Sequence, residues 1–143
     1  MLEMRSSVPA APMSSEIRSE SLAPNLVVTS FRGYITKRLA EQQLSQFSSL
    51  LGPCVNPIWI MDMSQMSGFD PLAVGVGGEW WTLFKSKHTA RGEILLITSS
   101  RAALLAAASL SFSIGVGVRS FGTLDECFEA IGVVLPMARL NVG

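Results

Sequence analysis

Hydrophobic residues along this chain recur with two periods that alternate. Residues 25–34 (NLVVTSFRGY) are rich in valine, threonine and aromatics and read as a strand broken at Gly33. Over residues 36–51 the period lengthens. Ala40, Leu44, Phe47 and Leu51 share one helical face, while Glu41, Gln42, Gln43 and Gln46 fall off it. Gly52 followed by Pro53 is a helix stop. Residues 57–61 (PIWIM) are apolar on both faces, as a central strand covered on each side requires. Asp62 and a short polar loop over residues 63–69 follow. Asp70 and Pro71 then open a helix over residues 71–88, with a core stripe of Leu72, Val76, Trp80, Leu83 and Phe84. Residues 93–98 (EILLIT) predict a third strand, and Ser99 or Ser100 caps an alanine-rich helix over residues 101–110. Ser109, Ser111 and Ser113 alternate like a turn entering a strand, predicted over residues 114–119 (IGVGVR), whose glycines mark close packing or a bend. Thr123 and Glu126 form a capping box, with Glu126 reaching back to the Thr123 amide. The last helix turns Leu124, Cys127, Phe128 and Ile131 to one face and ends at Gly132.

Strands alternating with helices predict a single small α/β domain. Its sheet has four to five mostly parallel strands and about four helices, joined by right-handed crossovers. Residues 1–24 are Ser/Pro/Ala-rich and aperiodic, a flexible leader; residues 25–132 hold the domain; residues 133–143 are an apolar, proline-broken tail. In an open α/β sheet, contacts with ligands or partners gather where a strand's carboxyl end runs into a helix. Residues 62–71 form such a joint.

Composition narrows the function classes. Eleven basic and eleven acidic residues cancel, so no net field favours nucleic acid or an anionic membrane. The uncharged runs 42–61 and 102–118 carry Ser, Gly, Pro or Asn and read as soluble core rather than membrane spans. The N-terminus has no apolar signal region. Cys54 and Cys127 are isolated, with His88 the single histidine, so neither a disulfide scaffold nor a metal site is expected. Two sparse cysteines fit a reducing cytoplasm.

The candidate chemistry is thin. Gly75, Gly77 and Gly78 suggest a phosphate loop, but GxGxxG requires glycine where Trp80 stands, and GxxxxGK[ST] is absent. Lys85, Lys87, His88 and Arg91 form a basic patch suited to a helix C-terminus. No Ser-His-Asp or Cys-His set can be placed. The carboxylates of Asp125, Glu126 and Glu129 belong to one helix start and its outer side. Asp62 is either a cation ligand or base, or a cap on backbone amides. Ser64 and Ser67 are either phosphate acceptors or ordinary turn residues. Trp80 and Trp81 point about 100° apart on a helix. Trp80 belongs to the stripe, and Trp81 reaches the flank, where it is either an interface anchor or covered by a tail or a neighbouring helix. No enzyme and no cofactor are expected.

Three segments resemble the STAS domain, the domain of the bacterial anti-sigma-factor antagonists and their relatives. They are Ile58-Trp59-Ile60-Met61-Asp62-Met63-Ser64, Ile94-Leu95-Leu96-Ile97, and residues 116–128 (VGVRSFGTLDECF). Members commonly carry a hydrophobic strand ending in Asp-Leu-Ser and finish with a strand and an F-x-T/S-L-D-E-A entry to the last helix. The resemblance covers roughly residues 26–131. It implies a STAS-like fold and a non-catalytic regulatory role in the bacterial cytoplasm, with a regulatory kinase or other signalling protein as partner. Phosphorylation-regulated antagonists typically continue with Asp-Ser-Ser/Thr-Gly-Leu. Here the segment reads Ser67-Gly68-Phe69-Asp70-Pro71-Leu72. An ungapped match puts Phe69 or Asp70 at the acceptor position, where Asp70 supplies a fixed charge. A shifted match makes Ser67 the acceptor. The variant resembles a divergent branch, some of whose members also resemble the lipid-binding CRAL-TRIO fold.

The expectation is therefore a docking module that meets its partner through Asp62, Ser64, Ser67, Phe69, Asp70 and Trp81. A small-molecule or lipid carrier is the alternative, from the low charge and from Met61, Met63, Met66 and Phe69 near the glycines. A self-associating scaffold, held by an exposed tryptophan and the apolar tail, is another.

Overall fold

A computed structural model describes residues 14–50, 56–87 and 92–132. The elements in order are β1 (Glu16–Ala23), β2 (Leu26–Ile35), α1 (Lys37–Gln43), α2 (Gln46–Leu50), β3 (Ile58–Phe69), α3 (Pro71–Lys87), β4 (Glu93–Ile97), α4 (Arg101–Ile114), β5 (Val118–Phe121) and α5 (Leu124–Ile131). They build one α/β domain on a five-stranded sheet whose spatial order equals the sequence order. β1 and β2 pair antiparallel; the remaining three pairings are parallel.

Neighbouring parallel strands joined by right-handed crossovers place their helices on one face. Residues of α1, α2, α3 and α4 accordingly share one core with Val27, Trp59, Met61, Ile94 and Leu96. After β5 the chain crosses to the opposite face. There Cys127 and Phe128 of α5 pack on Leu26, Val28, Ile60, Leu95 and Ile97. The strict alternation of these two sets along β2, β3 and β4 is the period of two expected of strands buried on both sides. Phe47 stacks on Trp59 at a centroid distance of 3.8 Å, with Phe84 5.7 Å from the same ring. The Trp59 indole N–H donates to Thr29 Oγ1 (2.8 Å), and that oxygen shares a hydrogen with Ser19 Oγ (2.7 Å).

Five expectations need correction. The leader expected over residues 1–24 gives way to strand at Glu16, and Ile17 is only 1 % exposed; residues 1–13 lie outside the described residues. β1 is an edge strand whose amides are met by side chains. Ile17 N donates to Gln43 Oε1 (2.7 Å) and Ser19 N to Gln46 Oε1 (3.1 Å), which blunts the edge. The helix expected over residues 36–51 is two helices, capped at the start by Thr36 Oγ1, which accepts from Leu39 N. Its stop at Gly52 and Pro53 lies outside the described residues.

The loop expected over residues 63–69 is strand. β3 runs to Phe69, paired there with Arg32–Ile35 of β2. α3 is rotated from its expected phase: Ala73, Val76, Trp81 and Phe84 are buried, whereas Leu72 is 65 % exposed. The bulk of Leu72 suggested a core position, but at this turn only Ala73 faces the sheet side. Finally, α4 continues through the serines to Ile114. Gly115, with φ of 79°, is its left-handed cap rather than a strand residue, and β5 starts at Val118.

α5 follows its expected pattern. Thr123 Oγ1 accepts from Glu126 N (3.1 Å), while Glu126 Oε1 accepts from the Gly122 amide (3.0 Å), one residue before the expected one. The apolar tail at residues 133–143 is outside the described residues.

Candidate functional site

β3 is the longest strand, and its two halves have different neighbours. Up to Asp62 it is flanked by β2 and β4, with Asp62 opposite both Ser30 and Ile97. β4 pairs no further, so among the described residues, 63–69 have a strand on the β2 side alone. Two register shifts lie in this half: one between the pairs Ser30–Asp62 and Arg32–Gln65, the other between Gly33–Met66 and Tyr34–Gly68. Met63 and Ser64 fill the first and Ser67 the second. Both candidate serines therefore sit at bulges, which re-aim side chains and end regular pairing. Both are exposed.

Asp62 is half-buried and occupied locally. Its Oδ1 accepts from the Ser64 amide (3.0 Å) and the Ser64 hydroxyl (2.7 Å), an Asx turn over the first bulge. Asp70 caps α3: Oδ1 accepts from Leu72 N (3.0 Å), its carbonyl from Ala73 N (2.8 Å), and its own amide donates to Ile35 O (2.9 Å). A fixed negative charge thus stands at the positive end of a 17-residue helix. Phe69 is half-buried and faces the helix-side core.

Trp81 is not at the surface. It is 2 % exposed, and its indole N–H donates to Met61 Sδ (3.1 Å). Trp80, expected in the stripe, is the half-buried one, edge-on to Phe47 at 5.7 Å. Trp81 follows Ala73 and Gly77 at steps of four on the side that faces Met61 and α4, while Trp80 turns toward Phe47.

Two exposed apolar side chains stand at this end of the sheet, Tyr34 on the face away from the helices and Leu72 on the first turn of α3, and neither is among the expected contact residues. Tyr34 is 48 % exposed, and its ring lies over Gly68, where an added Cβ would stand 3.2 Å from Cδ1. Leu72 projects from the first turn of α3, beside the Asp70 cap. Alternation along β2 marks Tyr34 as off the core face, since Phe31, Gly33 and Ile35 are buried. That was the available signal.

The remaining candidates are dispersed. Lys85 Nζ donates to Ile114 O (2.9 Å), so this cation serves the C-terminal end of α4. His88 and Arg91 lie outside the described residues. Cys127 is buried beneath α5 on the opposite face, and burial pushes its thiol up to about 11. Arg119 opposes that rise, and Glu93 and Asp62 add to it. Arg119 Nε donates to Glu93 Oε2 (2.8 Å), tying β5 to β4. Among the described residues no group of three or more His, Cys, Asp or Glu could hold a metal ion, and no helix is long and apolar enough to cross a membrane.

No protein-family model and no curated protein matches the chain. Solved structures do match. A DUF3478-family protein with a SpoIIAA-like fold from Shewanella loihica PV-4 is 12% identical, at a TM-score of 0.60 over 85% of this chain and 98% of that one. The anti-sigma factor antagonist SpoIIAA in its unphosphorylated form is 15% identical, at 0.54 over 82% and 99%. An anti-sigma factor antagonist from Mycobacterium paratuberculosis is 14% identical, at 0.55 over 87% and 100%. The fold is therefore STAS-like, of the SpoIIAA type.

Proposed function

We propose that this chain is a non-catalytic, STAS-like regulatory module that docks a signalling protein through the far end of β3 and the first turn of α3. One observation supports the reading: among the described residues, 63–69 of β3 are paired on one side only, with exposed Tyr34 on the paired strand β2 and exposed Leu72 on the first turn of α3. Aromatic and aliphatic side chains beside free strand edges supply apolar area and main-chain hydrogen bonds to a partner. The similar folds include antagonists of anti-sigma factors, one of them known in phosphorylated and unphosphorylated forms. An anti-sigma factor or a kinase that regulates one is the corresponding partner class here.

Within that surface the residues divide their roles. Asp70 holds α3's start and presents a constant charge. Asp62 shapes the first bulge through Ser64. Ser67, at the second bulge, is the exposed hydroxyl whose phosphorylation adds charge to this end of β3 and disfavours an acidic or apolar partner surface. The absence of a catalytic role follows the same reading, since Asp62 and Asp70 are both engaged by their own backbone.

Photo-crosslinking in the native cell tests the surface. A benzophenone amino acid at position 72 is expected to trap one protein, identified by mass spectrometry, that the same group at Glu129 on α5 does not. Equal trapping at both positions, or none at position 72, contradicts the reading.

A further inference from the structure

Between the helix-side face of β2 and β3 and the helices α1, α3 and α4 lies a cavity of about 80 Å³, open at one rim. Its floor is the buried helix-side core, including Phe31, Met61 and Trp81. Its rim is the half-buried set Met63, Met66, Phe69 and Val74. No polar atom contributes to its lining surface.

The space exists because small residues face one another. Ala73 and Gly77 of α3 meet Ala103, Ala106 and Ala107 of α4 across it. The neighbouring glycines of α3 separate two causes. At Gly78 packing is tight, for an added Cβ would come within 2.9 Å of Leu110 Cδ2 and that side chain would have to turn aside. At Gly77 it is not: among the described residues nothing stands within 4 Å of an added Cβ, so a side chain there would enter the void. A helical glycine and an unfilled apolar space both lower stability. Here they coincide where no steric demand calls for them.

We infer that this cavity is a binding site for the end of an unbranched alkyl chain. Water is a poor occupant, because a buried water needs two to four polar partners and the lining supplies none. The space is about half of the roughly 150 Å³ that takes benzene, so a slim chain suits it better than an aromatic ring. A few methylene groups fit, and the methionines of the rim can rotate to lengthen the space, being unbranched and adaptable. The rim opens where β3 has lost its β4 neighbour. The polar head of the ligand stays there in solvent, and specificity comes from chain length and slimness rather than from head-group contacts. This site stands independently of the protein-docking surface, although both use the same end of β3.

The test is titration of the full chain with 1-octanol, observed by NMR of ¹³C-methyl-labelled methionine. Saturable shifts of the Met63 and Met66 methyl signals are expected. Gly77→Leu fills the space and is expected to weaken binding at least tenfold. Gly75→Ala gives a comparable gain in helix propensity at an exposed position away from the cavity and leaves binding unchanged. If Gly77→Leu does not fold, Ala106→Leu blocks the same space from α4. Leu72→Ala, which alters the docking surface alone, also leaves octanol binding unchanged. Shifts that never saturate, or that persist in the filled variant, overturn the assignment.

Discussion

The indole N–H of Trp81 points at the sulfur of Met61 across 3.1 Å, and both side chains are buried. This contact ties α3 to the middle of β3 immediately beneath the proposed docking surface. It makes Trp81 a structural residue: Trp81→Ala is expected to cost about 3–5 kcal/mol. Leu72→Ala, nine residues earlier on the same helix, changes stability by no more than about 0.5 kcal/mol because Leu72 is exposed. Urea unfolding of the two variants checks the contrast.

Thr29 is fully buried and is the hydroxyl that Trp59 and Ser19 share. Thr29→Val keeps the shape and strands the Trp59 N–H without an acceptor, at an expected cost of about 1–3 kcal/mol. Thr29→Ser keeps the oxygen and loses a methyl group, about 1 kcal/mol. The ordering of the two in denaturant melts reports whether the hydroxyl or the methyl matters more, and the structure predicts the hydroxyl.

Gly33 has φ of 76°, and an added Cβ would meet Ser15 Oγ at 2.7 Å and Ser15 Cα at 3.0 Å. Gly33→Ala is expected to destabilise by about 2 kcal/mol from the left-handed backbone, with the close approach of the Ser15 main chain adding to it. Gly75→Ala is expected to stabilise by about 0.5–1 kcal/mol, as nothing lies near its added Cβ and the residue is helical. Thermal melts of the pair measure opposite signs.

The Cys127 thiol, raised from 9.0 to about 11 chiefly by burial, makes stability depend on alkaline pH. Above pH 9 the unfolded chain releases this proton while the folded chain keeps it, so rising pH favours unfolding. The contribution is complete below pH 9 and is lost as pH rises through about 11. A rise of this size amounts to about 2–3 kcal/mol. Urea melts of wild type and Cys127→Ala between pH 8 and 11 are expected to converge as the pH rises. A constant gap between them contradicts the assignment.

Periodicity read the centre of this fold well and its margins poorly, for physical reasons. β2, β3 and β4 are apolar on both faces, so their runs are unmistakable, and the Thr123–Glu126 cap is written locally. β1 has Ile17 as its single deeply buried side chain and otherwise reads as polar leader. Its order comes from β2 and from Gln43 and Gln46, a tertiary cause. Residues 63–69 look like a loop because Ser64, Gln65, Ser67 and Gly68 dominate them, yet they pair with β2 through two bulges. On α3, Leu72 outranks Ala73 by hydrophobicity alone, and only the cavity side of the helix, built for small residues, reverses that order. Asp62, Ser64, Ser67 and Asp70 do fall along one strand and its exit into α3. Tyr34 joins them through a pairing that no local pattern encodes.

In the proposed function the end of β3 and the start of α3 form one contact surface. Calorimetric titration of the crosslinked partner, once purified, against wild type, Tyr34→Ala and Leu72→Ala tests it most directly. Each substitution is expected to weaken binding about tenfold or more while unfolding in urea stays within about 0.5 kcal/mol of wild type. Undiminished affinity in both variants would contradict it.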